Sequence, residues 1–221
     1  MNTPTLVLPA FLDTLAIIVG ALTGAMHATR KGLDILGVLL VAFATGVGGG
    51  LVRDILLNNG EPALLLNPQY QLFACVGAVV GLFFAKGAAR FNPVYEALDT
   101  FMIGAWVLLG CFKAIADGLD PLPVIFIGTT AAVGGALIRD VLCHDPPALL
   151  RPGYFYTLAA ASAAVTYVAC LHLGISDVPA QIAAMAAAIL VRSISLRFRI
   201  VTPSALVMSD AVMRKLHLDK V

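Results

Sequence analysis

Apolar positions in this chain fall into long unbroken runs, with neither the strict alternation of strands nor the one-sided stripe of a soluble helix. The runs lie at about 6–26, 33–57, 70–89, 97–113, 121–143, 154–174 and 178–198. A helix that is apolar all round is buried or sits in a membrane, and about 20 apolar residues span a bilayer. The pattern therefore predicts seven transmembrane helices. The joints between them are short and polar or proline-containing: His27 to Lys31, Asn58 to Pro68, Ala88 to Glu96, Ala114 to Asp120, His144 to Gly153 and Gly174 to Val178. Past Leu196 the character changes. Arg197, Arg199 and Thr202-Pro203 lead into a tail where Leu206, Val207, Met213 and Leu216 stand among Asp210, Arg214 and Lys215, a pattern for a short interfacial helix or a loose tail.

Composition excludes a soluble domain. The 221 residues are 60% hydrophobic and 12% charged, against about 45–50% and about 25% in soluble proteins. Met1 to Pro9 has no Lys or Arg, so the charged start of a secretory peptide is missing and Leu6 to Met26 reads as the first span. Cys75, Cys111, Cys143 and Cys170 stand apart, as do His27, His144, His172 and His217, so neither a disulfide framework nor a metal site is expected.

One decapeptide-long pattern occurs twice. Thr45 to Asp54 and Ala131 to Asp140 both place a glycine cluster just before Arg-Asp, 86 positions apart. Shifting residues 13–57 by 86 gives eighteen identities in 45 positions without a gap. Among them are Asp13-Thr14 with Asp99-Thr100, Gly24 with Gly110, Gly32-Leu33-Asp34 with Gly118-Leu119-Asp120, Gly48-Gly49 with Gly134-Gly135, and Arg53-Asp54 with Arg139-Asp140. A slip of one or two residues then aligns Pro62-Ala63-Leu64 with Pro147-Ala148-Leu149 and Pro68 with Pro152. The chain is expected to be a single membrane domain over 1–221. Repeat one covers about 6–90, repeat two about 94–174, the seventh helix about 178–198 and the C-terminal tail 199–221.

An odd number of spans per copy turns the second copy upside down, the inverted-topology repeat of many transport proteins. With the N-terminus outside, Arg30, Lys31, Lys86, Arg90, Arg151, Arg197, Arg199, Arg214, Lys215 and Lys220 all fall inside, and only Lys113 lies in an outer joint. The positive-inside rule then predicts an outer N-terminus and a cytoplasmic C-terminus.

A helix from Gly32 to Leu57 would be about 39 Å long, more than a hydrocarbon core of about 30 Å. Three glycines cost about 1 kcal/mol each relative to Ala in a helix interior, so Gly48, Gly49 and Gly50 predict a kinked, broken second span, and Gly134 with Gly135 a kinked fifth. Ala136 in place of a third glycine predicts a milder inner kink. A break inside the bilayer is tolerated only where it is buried in protein or lines a wet cavity. Gly20, Gly24, Gly77 and Gly81 read instead as close-packing points. The motif is no phosphate loop, lacking Gly-Lys-Ser/Thr and flanking strands. Topology puts Asp13 level with Arg53 at one mouth and Asp99 with Arg139 at the other. The clusters Asp13, Arg53, Asp54 and Asp99, Arg139, Asp140 serve as buried salt bridges or as guides for ions.

Two inverted three-span repeats, each with Gly-Gly-x-x-x-Arg-Asp in its second span, plus a seventh span, resemble the prokaryotic trimeric intracellular cation (TRIC) channel family, which overlaps a bacterial glycine-transporter-domain family. The resemblance covers roughly residues 8–200. It implies an all-α homotrimer with a potassium-conducting pore in each subunit, lined by the kinked second and fifth spans. Gly48, Gly49, Gly50, Gly134 and Gly135 then mark the kinks, with Thr45, Thr129 and Thr130 as nearby polar groups. The basic lipid-binding motif of the animal members has no clear counterpart.

Two function classes follow: a passive channel for potassium or sodium, or a secondary transporter for glycine or another small amino acid. An enzyme is not expected, because no nucleophile, base and orienting group stand at a recognisable spacing. No cofactor is expected either. The expected partners are membrane lipid, monovalent cations and further copies of the chain, without nucleic acid, in a bacterial or archaeal inner membrane.

Overall fold

Matching turns steer the two copies of the repeat. Gly32 and Gly118 adopt φ of +76° and +77°, a left-handed conformation that glycine reaches without penalty. Each lets the next residue close the preceding helix, Leu33 N–H onto Ala28 O at 3.3 Å and Leu119 N–H onto Ala114 O at 3.1 Å. Asp34 then caps the following helix by accepting from Gly37 N at 2.7 Å. Asp120 stands at the matching place without such a bond, because Pro123 occupies the position of Gly37 and has no N–H to give.

The computed structural model describes residues 10–88, 92–150 and 152–202, with side chains described over 12–83, 94–150 and 152–202. Among the described residues there are eight helices: α1 Ala10–Arg30, α2 Ile35–Leu57, α3 Ala63–Leu66, α4 Pro68–Ala88, α5 Asn92–Ala116, α6 Pro121–Leu142, α7 Thr157–His172 and α8 Asp177–Phe198. Five of these are long and apolar enough to cross a membrane, while Pro68–Phe83 and Thr157–His172 are shorter apolar stretches. Leu36, Phe83, Leu122 and Leu173 stay largely exposed, as lipid-facing side chains do. The first nine residues, the side chains of Lys86, Arg90 and Arg151, and the tail from 203 onward, with Arg214, Lys215 and Lys220, lie outside the described residues.

Helices α1, α2 and α4 pack on one another, as do α5, α6 and α7. The two groups meet chiefly through α2 and α6, and α8 lies against α7 and α5. Small residues set the distances. Gly24 leaves room for Ala42 and Thr45, and its copy Gly110 leaves room for Gly128 and Ala131, the positions equivalent to those two. Gly20, Gly77 and Gly81 are close-packing points of the same sort, against Gly46, Ala21 and Ala25 respectively.

The predicted break is absent. Both α2 and α6 stay helical through Gly48, Gly49 and Gly50 and through Gly134 and Gly135. The glycines serve a helix crossing instead. A Cβ at Gly49 would lie 2.5 Å from Ala131 O, and one at Gly135 would lie 2.6 Å from Thr45 O. Gly48 likewise faces Ile138, and Gly134 faces Val52. These pairs are equivalent under the 86-residue shift, and partner numbers fall along α6 as they rise along α2. The two helices therefore run antiparallel at a locally two-fold junction, as inverted repeats require. Close backbone packing offsets the glycine cost that was expected to unwind the turn.

Candidate functional site

The crossing of α2 and α6 lies between two clusters of buried charge. At one end Arg53 Nε donates to Asp54 Oδ1 at 2.7 Å, and Lys113 Nζ, from the end of α5, lies 2.8 Å from the same oxygen. The other oxygen, Oδ2, accepts from Ala63 N at 2.8 Å. At the opposite end Arg139 Nε donates to Asp140 Oδ1 at 2.9 Å, and Asp140 Oδ2 accepts from Ala148 N, also at 2.9 Å. The structure thus explains why Arg-Asp and Pro-Ala-Leu recur together. Each aspartate fixes its own arginine with one oxygen and the start of the following Pro-Ala-Leu segment with the other.

The two remaining aspartates complete the ends. Tyr70 donates its hydroxyl to Asp13. Asp99 stands 3.9 Å from Arg139 Nη1 and 3.9 Å from Arg192 Nη2, while Arg139 Nη1 also donates to the Tyr95 hydroxyl at 3.0 Å. Arg53, Asp54, Asp99, Arg139 and Asp140 are all buried. A charge left unpaired at such depth would cost several kcal/mol, so the pairing is a condition of the fold.

Thr45, Thr129 and Thr130 sit on the crossing helices and turn their hydroxyl protons onto their own backbones. Thr45 donates to Val41 O at 2.6 Å, Thr129 to Ile125 O at 2.7 Å and Thr130 to Phe126 O at 2.9 Å. Such back-bonding to the preceding turn is common for a threonine in an apolar helix. It leaves each hydroxyl oxygen with lone pairs only, directed as an acceptor.

Each cluster lines a cavity, and the two differ in size. The cavity beside Asp13, Arg53 and Asp54 measures about 10 Å³, roughly the room of one water. The one beside Asp99, Arg139 and Asp140 measures about 210 Å³ and is also bounded by His27, Asp145 and Arg192. At its rim Lys31 Nζ lies 2.5 Å and His27 Nε2 lies 3.0 Å from Asp145. Those two hydrogen bonds, that of Lys31 above all, hold the Asp145 carboxyl below the usual carboxylate range.

Several residues of the two clusters carry no motif of their own: His27, Tyr70, Tyr95, Lys113, Tyr156 and Arg192. The shift that reveals the repeat also aligns Tyr70 with Tyr156 and His27 with Lys113, a signal for four of these positions that lies in the sequence itself.

With the geometry in place, the chain's relatives can be set beside it. The family model described as glycine transporter matches residues 10–86 and again 96–172, once in each copy. The chain belongs to the glycine-transporter family. Among relatives, a UPF0126 membrane protein of Deinococcus radiodurans is 33% identical over 164 residues, covering 73% of this chain and 76% of the relative. The UPF0126 inner membrane protein YadS of Escherichia coli K12 is 27% identical over 195 residues, covering 88% and 94%. Solved structures agree in fold. A trimeric intracellular cation channel orthologue from Rhodobacter sphaeroides has 31% identity and a TM-score of 0.81, with 86% of this chain and 98% of that one covered. A second structure, from work on conductance through TRIC cation channels, has 25% identity and a TM-score of 0.81 over 90% and 97%. This glycine-transporter-family chain is thus a multi-pass, all-helical membrane protein with the TRIC fold.

Proposed function

We propose that the protein is a passive channel for monovalent cations, potassium foremost. Its pathway runs within each subunit beside the crossing of α2 and α6, from the Asp13 end to the Asp99 end. The reading rests on the overlap with TRIC cation channels over nearly their whole length. It is supported by the mirrored placement of Asp13, Arg53 and Asp54 against Asp99, Arg139 and Asp140. Since α2 and α6 remain helical, the wet path is bounded by side-chain oxygens and aspartates, not by freed carbonyls. At the wide cavity Asp99, Asp140 and Asp145 face Arg139, Arg192 and, at the rim, Lys31, so the charges balance and the aspartate oxygens are the groups that can replace part of a cation's hydration. Among the described residues no ring of carbonyls forms a filter, so selectivity among monovalent cations is modest.

The same reading takes α1, α2, α4, α5, α6, α7 and α8 as the seven spans. It places three copies in a bacterial inner membrane, with the N-terminus outside and the wide cavity facing the cytoplasm beside Arg30 and Lys31. The test is purified protein in a planar bilayer, where discrete potassium currents are expected, with a reversal potential in a KCl gradient that favours potassium over chloride. The family's description favours a second reading, secondary transport of glycine. Saturable, gradient-driven glycine uptake into proteoliposomes without unitary current would establish that reading and reject the channel.

A further inference from the structure

The two ends of the pathway are related by the repeat, yet one is open and the other almost filled. One pair of equivalent positions departs sharply from the repeat. In repeat two the position is Trp106, and 86 residues earlier in repeat one it is Gly20. Trp106 is buried at 5% exposure and bounds the small cavity together with Asp13, Arg53 and Tyr70. Its indole lies flat on the glycines of α2. A Cβ at Gly49 would come within 3.2 Å of Cδ2, and one at Gly50 within 3.2 Å of Cη2. The equivalent Gly20 has no side chain and packs against Gly46 and Met102, and the cavity at the opposite end, bounded by Ala136, Arg139 and Tyr156, keeps about 210 Å³.

A second departure from the repeat accompanies the first. Where copy one has Gly50, copy two has Ala136. A Cβ at 50 would press on the indole at 3.2 Å, whereas the methyl of Ala136 borders the wide cavity.

We propose that Trp106 is a movable plug that closes the Asp13 end of the pathway, seated in a socket made by Gly49 and Gly50. The proposal rests on the channel reading. A broad apolar ring set against a cavity with room for about one water excludes hydrated ions, the mode of a hydrophobic gate. Opening requires the indole to leave its glycine socket, while the charge pairs on either side keep their partners.

The test compares potassium efflux from proteoliposomes carrying wild type, Trp106→Phe or Trp106→Ala, each checked for helical content and elution volume. The expected result is a several-fold faster efflux for Trp106→Ala, with Trp106→Phe between it and wild type. Folded variants with wild-type or slower efflux overturn the plug. Should Trp106→Ala fail to fold, Trp106→Phe and the wild-type fluorescence decide, because Trp106 is the sole tryptophan of the chain. Caesium driven through the wild-type protein quenches that emission if the indole lies in the path, and undiminished emission during measurable caesium flux overturns the plug. Equal efflux from all three proteins rejects the plug alone. No cation flux from any of them rejects the channel reading and the plug with it.

Discussion

Gly135 presents its bare Cα face to the carbonyl oxygen of Thr45, so close that an added Cβ would lie 2.6 Å away. The obstacle is backbone, which cannot rotate aside as a side chain can. Gly135→Ala and Gly49→Ala are therefore each expected to push α2 and α6 apart and to destabilise the protein by about 1–3 kcal/mol, the usual cost of overpacking. Thermal unfolding in mild detergent measures it. A variant as stable as wild type would show that the two helices can separate at no cost.

Such a crossing is hard to read from one sequence. Three adjacent glycines in an apolar run fit a break as well as a close approach. What decides between them is a surface 86 residues away that no local pattern displays. The duplication was legible because identities recur in register, and so was the pairing by depth that sets Asp13 and Arg53 beside one cavity and Asp99 and Arg139 beside the other. The short helix α3 was not, since Ala63–Leu66 is four residues long and held by the Asp54 carboxylate. Arg192 was missed because α8 stands outside the repeat and has no counterpart to flag its partner Asp99.

Arg139 and Lys113 both neutralise an aspartate, but at different depths. Arg139 is buried and serves Asp99, Asp140 and the Tyr95 hydroxyl together. Its removal strands the buried Asp140 carboxylate and leaves Asp99 with Arg192 alone, so Arg139→Ala is expected to cost about 3–5 kcal/mol, and Arg139→Lys to recover only part because the planar fork is lost. Lys113 has a side chain 32% exposed, and Asp54 keeps Arg53 without it. Lys113→Ala is expected to cost less than about 1 kcal/mol. Chemical unfolding of the three variants ranks them, and equal losses for Arg139→Ala and Lys113→Ala would contradict the burial argument.

The contact of Lys31 with Asp145 ties the end of α1 to the loop after α6, and its pH dependence has a definite sign. Asp145 has a depressed pKa in the folded protein, through its hydrogen bonds to Lys31 and then His27. Its contribution is thus fully present above the unfolded value of about 3.9 and is lost as pH falls through the lower, folded value. Wild type is expected to unfold at a slightly higher temperature than Asp145→Asn at pH 6, by less than about 1 kcal/mol of stability. The two should converge in strong acid. A gap that widens on acidification would mean that Asp145 is not held by cations.

The same pair offers a way to separate charge from architecture in conduction. Asp145 bounds the wide cavity, and Lys31 stands at its rim with a side chain 41% exposed. If cations enter there, the local potential sets their concentration at the mouth, and removing a negative charge lowers the current while removing a positive one raises it. Asp145→Asn is therefore expected to reduce potassium conductance, and Lys31→Ala to increase it. Both effects should be clearest at about 10 mM salt and should fade near 1 M, where the screening length falls from about 30 Å to about 3 Å. A purely structural contact predicts something else, because losing either partner breaks the same tie and lowers activity in both variants at every salt concentration. Opposite changes that collapse with salt would place the wide cavity at the entrance of the cation path, and parallel losses independent of salt would remove it from that role.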